Sequence, residues 1–385
     1  MMKPRQAPFG ALISALTILA ALSGAGSAAG QVPFRLAYVE AEPYWSYDEH
    51  FDEFKKALEA LGWGGRVSYP PELHFSWGER TADYPGRARS LLAREDCDLI
   101  LSFGTEASRV LLAENKKYGR RILGLSISNP QGAGLIDSPE DSGSPHFSTI
   151  SFGEVPGPYM FVLFHHLVKF KKLGLMYQNS RSGRAYAYLD DARQAARDRG
   201  FELVEHSAVG PRESPEDCLA AVEDLIGRGV DAIFIPNIQC FGAMPPKRAG
   251  GDGDRPTMSG PVRDGQTPPS PYIPEKLVPI YEKIYQSRVA TFAAEDEAQV
   301  RLFALMGLLF SDPESLGALQ AEQAVRILSG EEPGSLPMVA PFRCQFLLNL
   351  AAAERLGLSF GPEVVSLSDR LYLTLPGLEP TPAGP

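Results

Sequence analysis

From residue 34 onward the chain switches repeatedly between short apolar runs and longer stretches in which apolar residues recur three and four apart. The first pattern suits strands buried on both faces, and the second suits helices with one buried face. Residues 34–39 predict the opening strand, and 47–61 predict a helix whose stripe is Phe51, Phe54, Leu58 and Leu61, closed by Gly62. The cycle recurs with strands at 66–69, 98–103 and 121–127 and helices at 87–94 and 106–114. A Ser/Pro/Gly-rich stretch at 137–145 separates these from a second series. That series has helices at 159–168, 185–199 and 215–228 and strands at 173–177, 201–205 and 231–236. Beyond it lie a helix at 275–286, a strand at 288–293, a strand-like run at 302–310 and a helix at 315–329. Strand and helix in alternation specify βαβ units, so the expected class is α/β, with two doubly wound parallel-sheet lobes whose strand ends face a shared crevice.

Composition narrows the function. At 385 residues the chain exceeds the usual span of one core. A formal net charge of -10 and the lack of a Lys/Arg stripe argue against nucleic acid as a partner. Lys3 and Arg5, then an apolar run at 11–22, then the small residues 23–29 have the order of a secretory signal peptide with cleavage after Ala29. The run is shorter than the roughly 20 apolar residues of a spanning helix. This predicts a free, exported, periplasmic monomer. Four cysteines are too few for a disulfide framework: Cys97 and Cys218 read as small buried hydrophobes, and a bridge between Cys240 and Cys344 is open to an exported chain.

The motifs of common enzyme classes are missing. There is no G-x-S-x-G elbow, phosphate-binding Gly-rich loop with Lys, H-E-x-x-H pair or cysteine pair at zinc spacing. The six histidines are scattered apart from the adjacent His165 and His166. Gly132-Ala-Gly134 follows a proline and lacks the third glycine of a dinucleotide turn. The expectation is a binder without cofactor or metal. An enzyme of unfamiliar type is the competing reading, distinguished by turnover.

Several segments resemble, in order, the periplasmic substrate-binding proteins of ABC transporters related to tryptophan-binding and phenylalanine-binding members. Asp98-Leu-Ile-Leu-Ser-Phe-Gly-Thr-Glu-Ala107 is similar to that family's strand and Gly-Thr-x-Ala turn, and Ser128-Asn-Pro-Gln-Gly-Ala-Gly-Leu-Ile136 to its Asp-Pro-x-Gly-Ala-Gly-Leu-Val signature. Leu173-Gly-Leu-Met-Tyr-Gln-Asn-Ser180, Val230-Asp-Ala-Ile-Phe-Ile-Pro236 and Asn349-Leu-Ala-Ala-Ala-Glu-Arg-Leu-Gly-Leu358 resemble its later elements. The resemblance implies a class I periplasmic binding protein fold with a three-strand hinge, crossed near 147–153, 310–312 and 333–339. Lobe 1 would then be 32–150 completed by 312–333, and lobe 2 would be 151–311 completed by 334–375, with a flexible insertion at 241–274 and a frayed tail at 376–385. It further implies capture of a small-molecule ligand, such as an amino acid or other small carboxylate, for an ABC permease in the inner membrane. A membrane sensor protein is the alternative partner.

Candidate ligand-binding residues follow from loops at strand ends. Gly104 and Thr105 would aim the backbone N–H groups of Glu106 and Ala107 at a carboxylate, with the helix dipole behind them. The bland alternative is a simple turn and helix cap. Asn129 stands where many relatives have Asp, so it can hydrogen-bond but brings no charge. Tyr44 and Trp45, beside Glu42 and Tyr47, offer aromatic faces to a planar ligand or pack the rim. Tyr177, Asn179 and Ser180, with Gln178 and Ser182, supply hydroxyl and amide partners from the second lobe. Asn237 follows the strand-ending proline, with Ile238, Gln239 and Cys240 after it. Glu295 and Asp296 could meet a ligand amine. Arg181 and Arg184 read as solvated surface.

Overall fold

The computed structural model describes residues 32–44, 46–78, 83–152, 156–210, 213–242, 274–310, 313–340 and 344–378. The signal-peptide segment, Trp45 and most of the 241–274 insertion lie outside these residues, as does the tail from 379.

The first lobe is built on β1 (Phe34–Glu40), α1 (Tyr47–Ala60), β2 (Val67–Ser68), β3 (His74–Ser76), α2 (Tyr84–Leu92), β4 (Leu99–Phe103), α3 (Gly104–Asn115), β5 (Ile122–Leu125) and β6 (Phe147–Thr149). Its sheet runs β2-β1-β4-β5-β6, all parallel, with β3 also on β1. β4 and β5 are buried along their whole length, as expected for a sheet covered on both faces.

The second lobe follows with α4 (Pro156–Val168), β7 (Lys172–Met176), α5 (Arg181–Tyr186), α6 (Leu189–Arg199), β8 (Glu202–His206), α7 (Pro215–Gly227), β9 (Ala232–Ile235), α8 (Val278–Gln286), β10 (Ala290–Ala294), α9 (Glu297–Leu302) and β11 (Met306–Leu309). The chain then forms α10 (Pro313–Leu328), β12 (Gln345–Asn349), α11 (Leu350–Leu356), α12 (Pro362–Leu367) and β13 (Arg370–Tyr372). The second sheet has the order β13-β12-β11-β10-β9-β7-β8.

Two expected elements split. The helix predicted at 185–199 is interrupted by Tyr188 in the left-handed region, φ 50°, between α5 and α6. The run 302–310, read as one strand, is the end of α9 and then β11, because continuous apolarity fits a buried helix end as well as a buried strand.

After β11 the chain leaves the second sheet, and α10 packs on α1, where Ala321, Ala324 and Ile327 meet Phe54 and Leu58. A methyl group on Gly317 would fall 2.8 Å from the Glu53 carbonyl carbon, so the two helices approach closely. The chain then returns as β12, entering from the edge that β11 left by. It therefore pairs antiparallel to β11, a departure from the all-parallel expectation.

Two of the crossings are laced together. Ser151 donates its N–H to Met338 O at 2.8 Å, and Ala340 N donates to Ser151 O at 2.9 Å. The Gln323 amide on α10 donates to Ser148 Oγ at 3.1 Å, Thr149 O at 3.3 Å and Pro337 O at 3.0 Å, tying both crossings to one helix.

Cysteine pairing differs from expectation. Cys218 on α7 is bonded to Cys240, and Cys344 is a free thiol. α7 lies against the loop after β9, which brings Cys240 to a helix near it in sequence and leaves Cys344 at the start of β12. Cys97 is free and buried. The start of the expected frayed tail is docked, since Gly377 donates to Leu302 O at 3.3 Å and Leu378 packs on the core.

Candidate functional site

Parallel strands of both sheets end at one cleft, and the loops leaving them line a cavity of about 270 Å³. The first lobe contributes residues after β1 (Glu42, Tyr44, Tyr47, Glu49, His50), after β4 (Thr105, Glu106) and after β5 (Ser126, Ser128). The second contributes Ser182, Tyr186, Glu213, Asn237, Gln239, Glu295 and Asp296.

Hydrogen bonds join the lobes around this cavity. Ser182 Oγ donates to Glu106 Oε2 at 2.5 Å, and Glu106 is also paired to Arg109 at 2.6 Å. Tyr188 Oη lies 3.0 Å from Ser128 O and 2.7 Å from Glu295 Oε1. Asn237 Nδ2 donates to Ser128 Oγ at 3.0 Å and to Glu295 Oε2 at 3.2 Å. Gln239 Nε2 donates to Pro43 O at 3.2 Å. Ala185 of α5 is buried in the first lobe's hydrophobic cluster, and a methyl group on Gly134 would fall 1.7 Å from Arg181 Nη2. Arg181, read as solvated surface, thus lays its guanidinium across the lobe boundary.

Backbone strain concentrates here. Among the described non-glycine residues, six have positive φ, and Ser126 (54°), Glu213 (46°) and Glu295 (55°) line the cavity. A fourth, Tyr188, bonds Glu295. Bulky residues hold that conformation only where the surroundings over-determine it, and such positions gather at functional sites.

Electrostatics follow from burial. Glu295 has its carboxyl raised above the usual range by burial, a shift opposed by its bonds from Tyr188, Asn237 and Ser128. Asp296, 2% exposed, is pushed up to about 6 by burial against two bonds from Gln299. His50, bonded to Ser126 Oγ, is lowered to about 4 by burial and is neutral at pH 7. Among the described residues no group of three His, Cys, Asp or Glu is placed to hold a metal ion.

Of the residues singled out from sequence, Tyr44, Thr105, Glu106, Asn237, Glu295 and Asp296 line the cavity. Gly104, φ 78°, is not in the lining: a methyl group there would lie 1.8 Å from Tyr47 Oη, so the tyrosine hydroxyl covers the start of α3. Ala107 is buried in the first lobe's core. Asn129 accepts from Gly132 N at 2.9 Å and reaches Ala185 O at 3.5 Å across the boundary. Tyr177 donates to Glu205 at 2.6 Å, Asn179 accepts from Arg184 at 2.7 Å, and Ser180 caps α5 through Gly183 N at 2.9 Å. These last four are outside the lining. Sequence reasoning missed His50, Ser126, Tyr186, Tyr188 and Glu213. All but His50 sit in loops after strands or at the split in the predicted helix, so the rule that located Thr105 would have reached Glu213, had the loop after β8 been included.

Neither a known protein-family pattern nor a curated protein matches the sequence. Solved structures do. The chain is similar to a conserved domain protein from Vibrio cholerae O1 biovar El Tor, with TM-score 0.67 and 19% identity over 88% of this chain and 100% of that one. It is also similar to an ABC domain in complex with L-Trp from Streptococcus pneumonia, with TM-score 0.65 and 16% identity over 87% of this chain and 99% of that one. A third is an ABC transporter solute-binding protein from Agrobacterium vitis with bound allitol, at TM-score 0.55 and 12% identity over 84% and 98% of the two chains. The fold is that of ABC transporter solute-binding proteins. Among the described residues no helix is long and apolar enough to cross a membrane.

Proposed function

We propose that this chain is the periplasmic solute-binding component of an ABC importer, which encloses one small molecule between its lobes and presents the closed form to a membrane permease. The observation that carries this reading is the cavity itself, formed by strand-end loops of both lobes and bridged by hydrogen bonds from one lobe to the other. A volume of about 270 Å³ suits a metabolite smaller than a drug-sized ligand, for which sites run about 300–1,000 Å³. Affinity would come from desolvation on closure plus a few oriented polar groups, and the three crossings are the bending elements. Catalysis has less support: the part-buried histidine is neutral at pH 7 and bonded to a serine in the same lobe.

Native mass spectrometry of protein purified from its source under non-denaturing conditions tests the proposal. One small molecule per chain is expected, recovered unchanged and rebinding reversibly to stripped protein in calorimetry. Conversion of that molecule to a product would replace the binding reading with an enzymatic one. Uptake of it in vesicles carrying the permease encoded beside the gene is the matching transport assay.

A further inference from the structure

The disulfide meets the cleft at two points. Cys240 lies in the short turn Gln239–Phe241 after β9, directly beside Gln239, which lines the cavity. Its partner Cys218 is in the first turn of α7, a helix that begins just after Glu213, another residue of the lining. Gln239 N donates to Glu213 Oε2 at 2.7 Å, so a sulfur bridge and a hydrogen bond close one ring between the turn and the start of the helix.

That ring holds a strained residue. Glu213 has φ 46°, and Ser214 after it caps α7 in a capping box with Asp217. A glutamate keeps a left-handed backbone only where its neighbours over-determine it. Here the cap fixes it on one side, Tyr186 Oη donates to its Oε1, and the Gln239 N–H holds its Oε2. The bridge fixes the separation of the helix start from the turn, on which the last of these bonds depends.

Gln239 carries the position of the turn across the cleft. Its Nε2 donates to Pro43 O of the first lobe at 3.2 Å. Its Oε1 is buried and meets no donor among the described residues, an acceptor that a solute N–H or O–H would satisfy. Pro43 leads into Tyr44 and Tyr47, both in the lining. Displacement of Cys240 is therefore passed to both walls.

We infer that the Cys218–Cys240 bridge is a positioning element of the cleft, holding Glu213 and Gln239 in place so that the shape of the binding site, and not only the stability of the second lobe, depends on it. This rests on the solute-binding reading above and concerns the same site. Cys218 is 0% exposed and Cys240 1%, so the bridge is shielded from thiols and acts as a permanent brace, not as a redox switch.

Hydrogen–deuterium exchange with mass spectrometry on the mature protein is the test, comparing the parent with Cys218→Ala plus Cys240→Ala and with Gln239→Ala at a temperature where all three are folded by circular dichroism. In the first lobe the reporters are Tyr47 N, bonded to Tyr44 O, and His50 N, bonded to Ser46 O. Without the bridge, exchange is expected to rise about tenfold at 237–242 in the second lobe and at 46–50 in the first, while β4 keeps the parent rate. Gln239→Ala, its bridge intact, should raise exchange at 46–50 and leave α7 unchanged. A rise confined to α7 and the turn, with 46–50 at the parent rate, overturns the inference and makes the bridge a staple of one lobe. An equal rise everywhere, β4 included, overturns it as a loss of global stability. If the alanine pair does not fold, Cys218→Val plus Cys240→Ala, which restores part of the lost volume, enters the same comparison. The expected exchange pattern in a protein that carries no co-purified small molecule would leave the brace standing and remove the solute-binding proposal.

Discussion

A buried carboxyl and a part-buried imidazole with opposite habits make acid stability a direct test of the site's electrostatics. Asp296 is held near 6 instead of its ordinary 3.8, so between those values the folded chain keeps a proton that the unfolded chain gives up. Its contribution therefore grows as pH falls through 6 and is lost as pH rises above 6. At about 1.4 kcal/mol per tenfold change in proton affinity, it approaches about 3 kcal/mol near pH 4, with roughly half present at pH 5. His50 acts the other way. Lowered from 6.5 to about 4, it refuses a proton that the unfolded chain accepts. Acidification through 6.5 removes up to about 3 kcal/mol, less in so far as cavity water screens the ring. The two offset each other in the parent, and single substitutions separate them. Asp296→Asn should destabilise more steeply on acidification, the gap to the parent widening by about 3 kcal/mol between pH 7 and pH 4. His50→Gln should narrow the parent's acid loss. Urea unfolding followed by fluorescence across that range gives both slopes. Parallel pH profiles for parent and Asp296→Asn would refute the claim that this carboxyl is buried against its charge.

Other outcomes follow from single contacts. Tyr188→Phe removes the hydroxyl shared by Ser128 O and Glu295 without touching the lining, and is expected to cost the bound ligand about tenfold in affinity, about 1.4 kcal/mol, with the fold intact by circular dichroism. Gly104→Ala meets both a positive φ and the Tyr47 hydroxyl, so it should destabilise by about 1–3 kcal/mol in thermal unfolding. Cys218→Ser with Cys240→Ser opens a loop of sequence separation 22 and should lower unfolding free energy by about 3 kcal/mol, a loss that reductant reproduces in the parent. Unchanged unfolding with reductant would mean that the bridge carries no stability.

The lobes were legible because hydrophobic period reports what each element buries. Leu99–Phe103 is apolar apart from one serine since both faces of its sheet are covered, and α1 is striped since one face meets solvent. What periodicity could not express was pairing between distant segments. That β12 runs against β11 depends on where the chain re-enters the second sheet, and that Cys218 meets Cys240 depends on α7 packing beside the β9 loop. The site was half legible for a related reason. Thr105, Asn237, Glu295 and Asp296 stand directly after apolar strands, where sequence marks a loop. Tyr188 and Glu213 reach the cleft only because their backbones turn through φ 50° and 46°, and nothing in side-chain identity announces that for a tyrosine or a glutamate.

Those contorted residues carry a consequence for variation in the protein. Glycine or asparagine at Ser126, Tyr188, Glu213 or Glu295 would relax the main chain and raise the melting point while removing side chains that line or brace the cleft. Screens that select on heat tolerance should therefore drift toward rugged proteins with altered clefts, and selection on the proposed solute binding should hold the less comfortable residues in place.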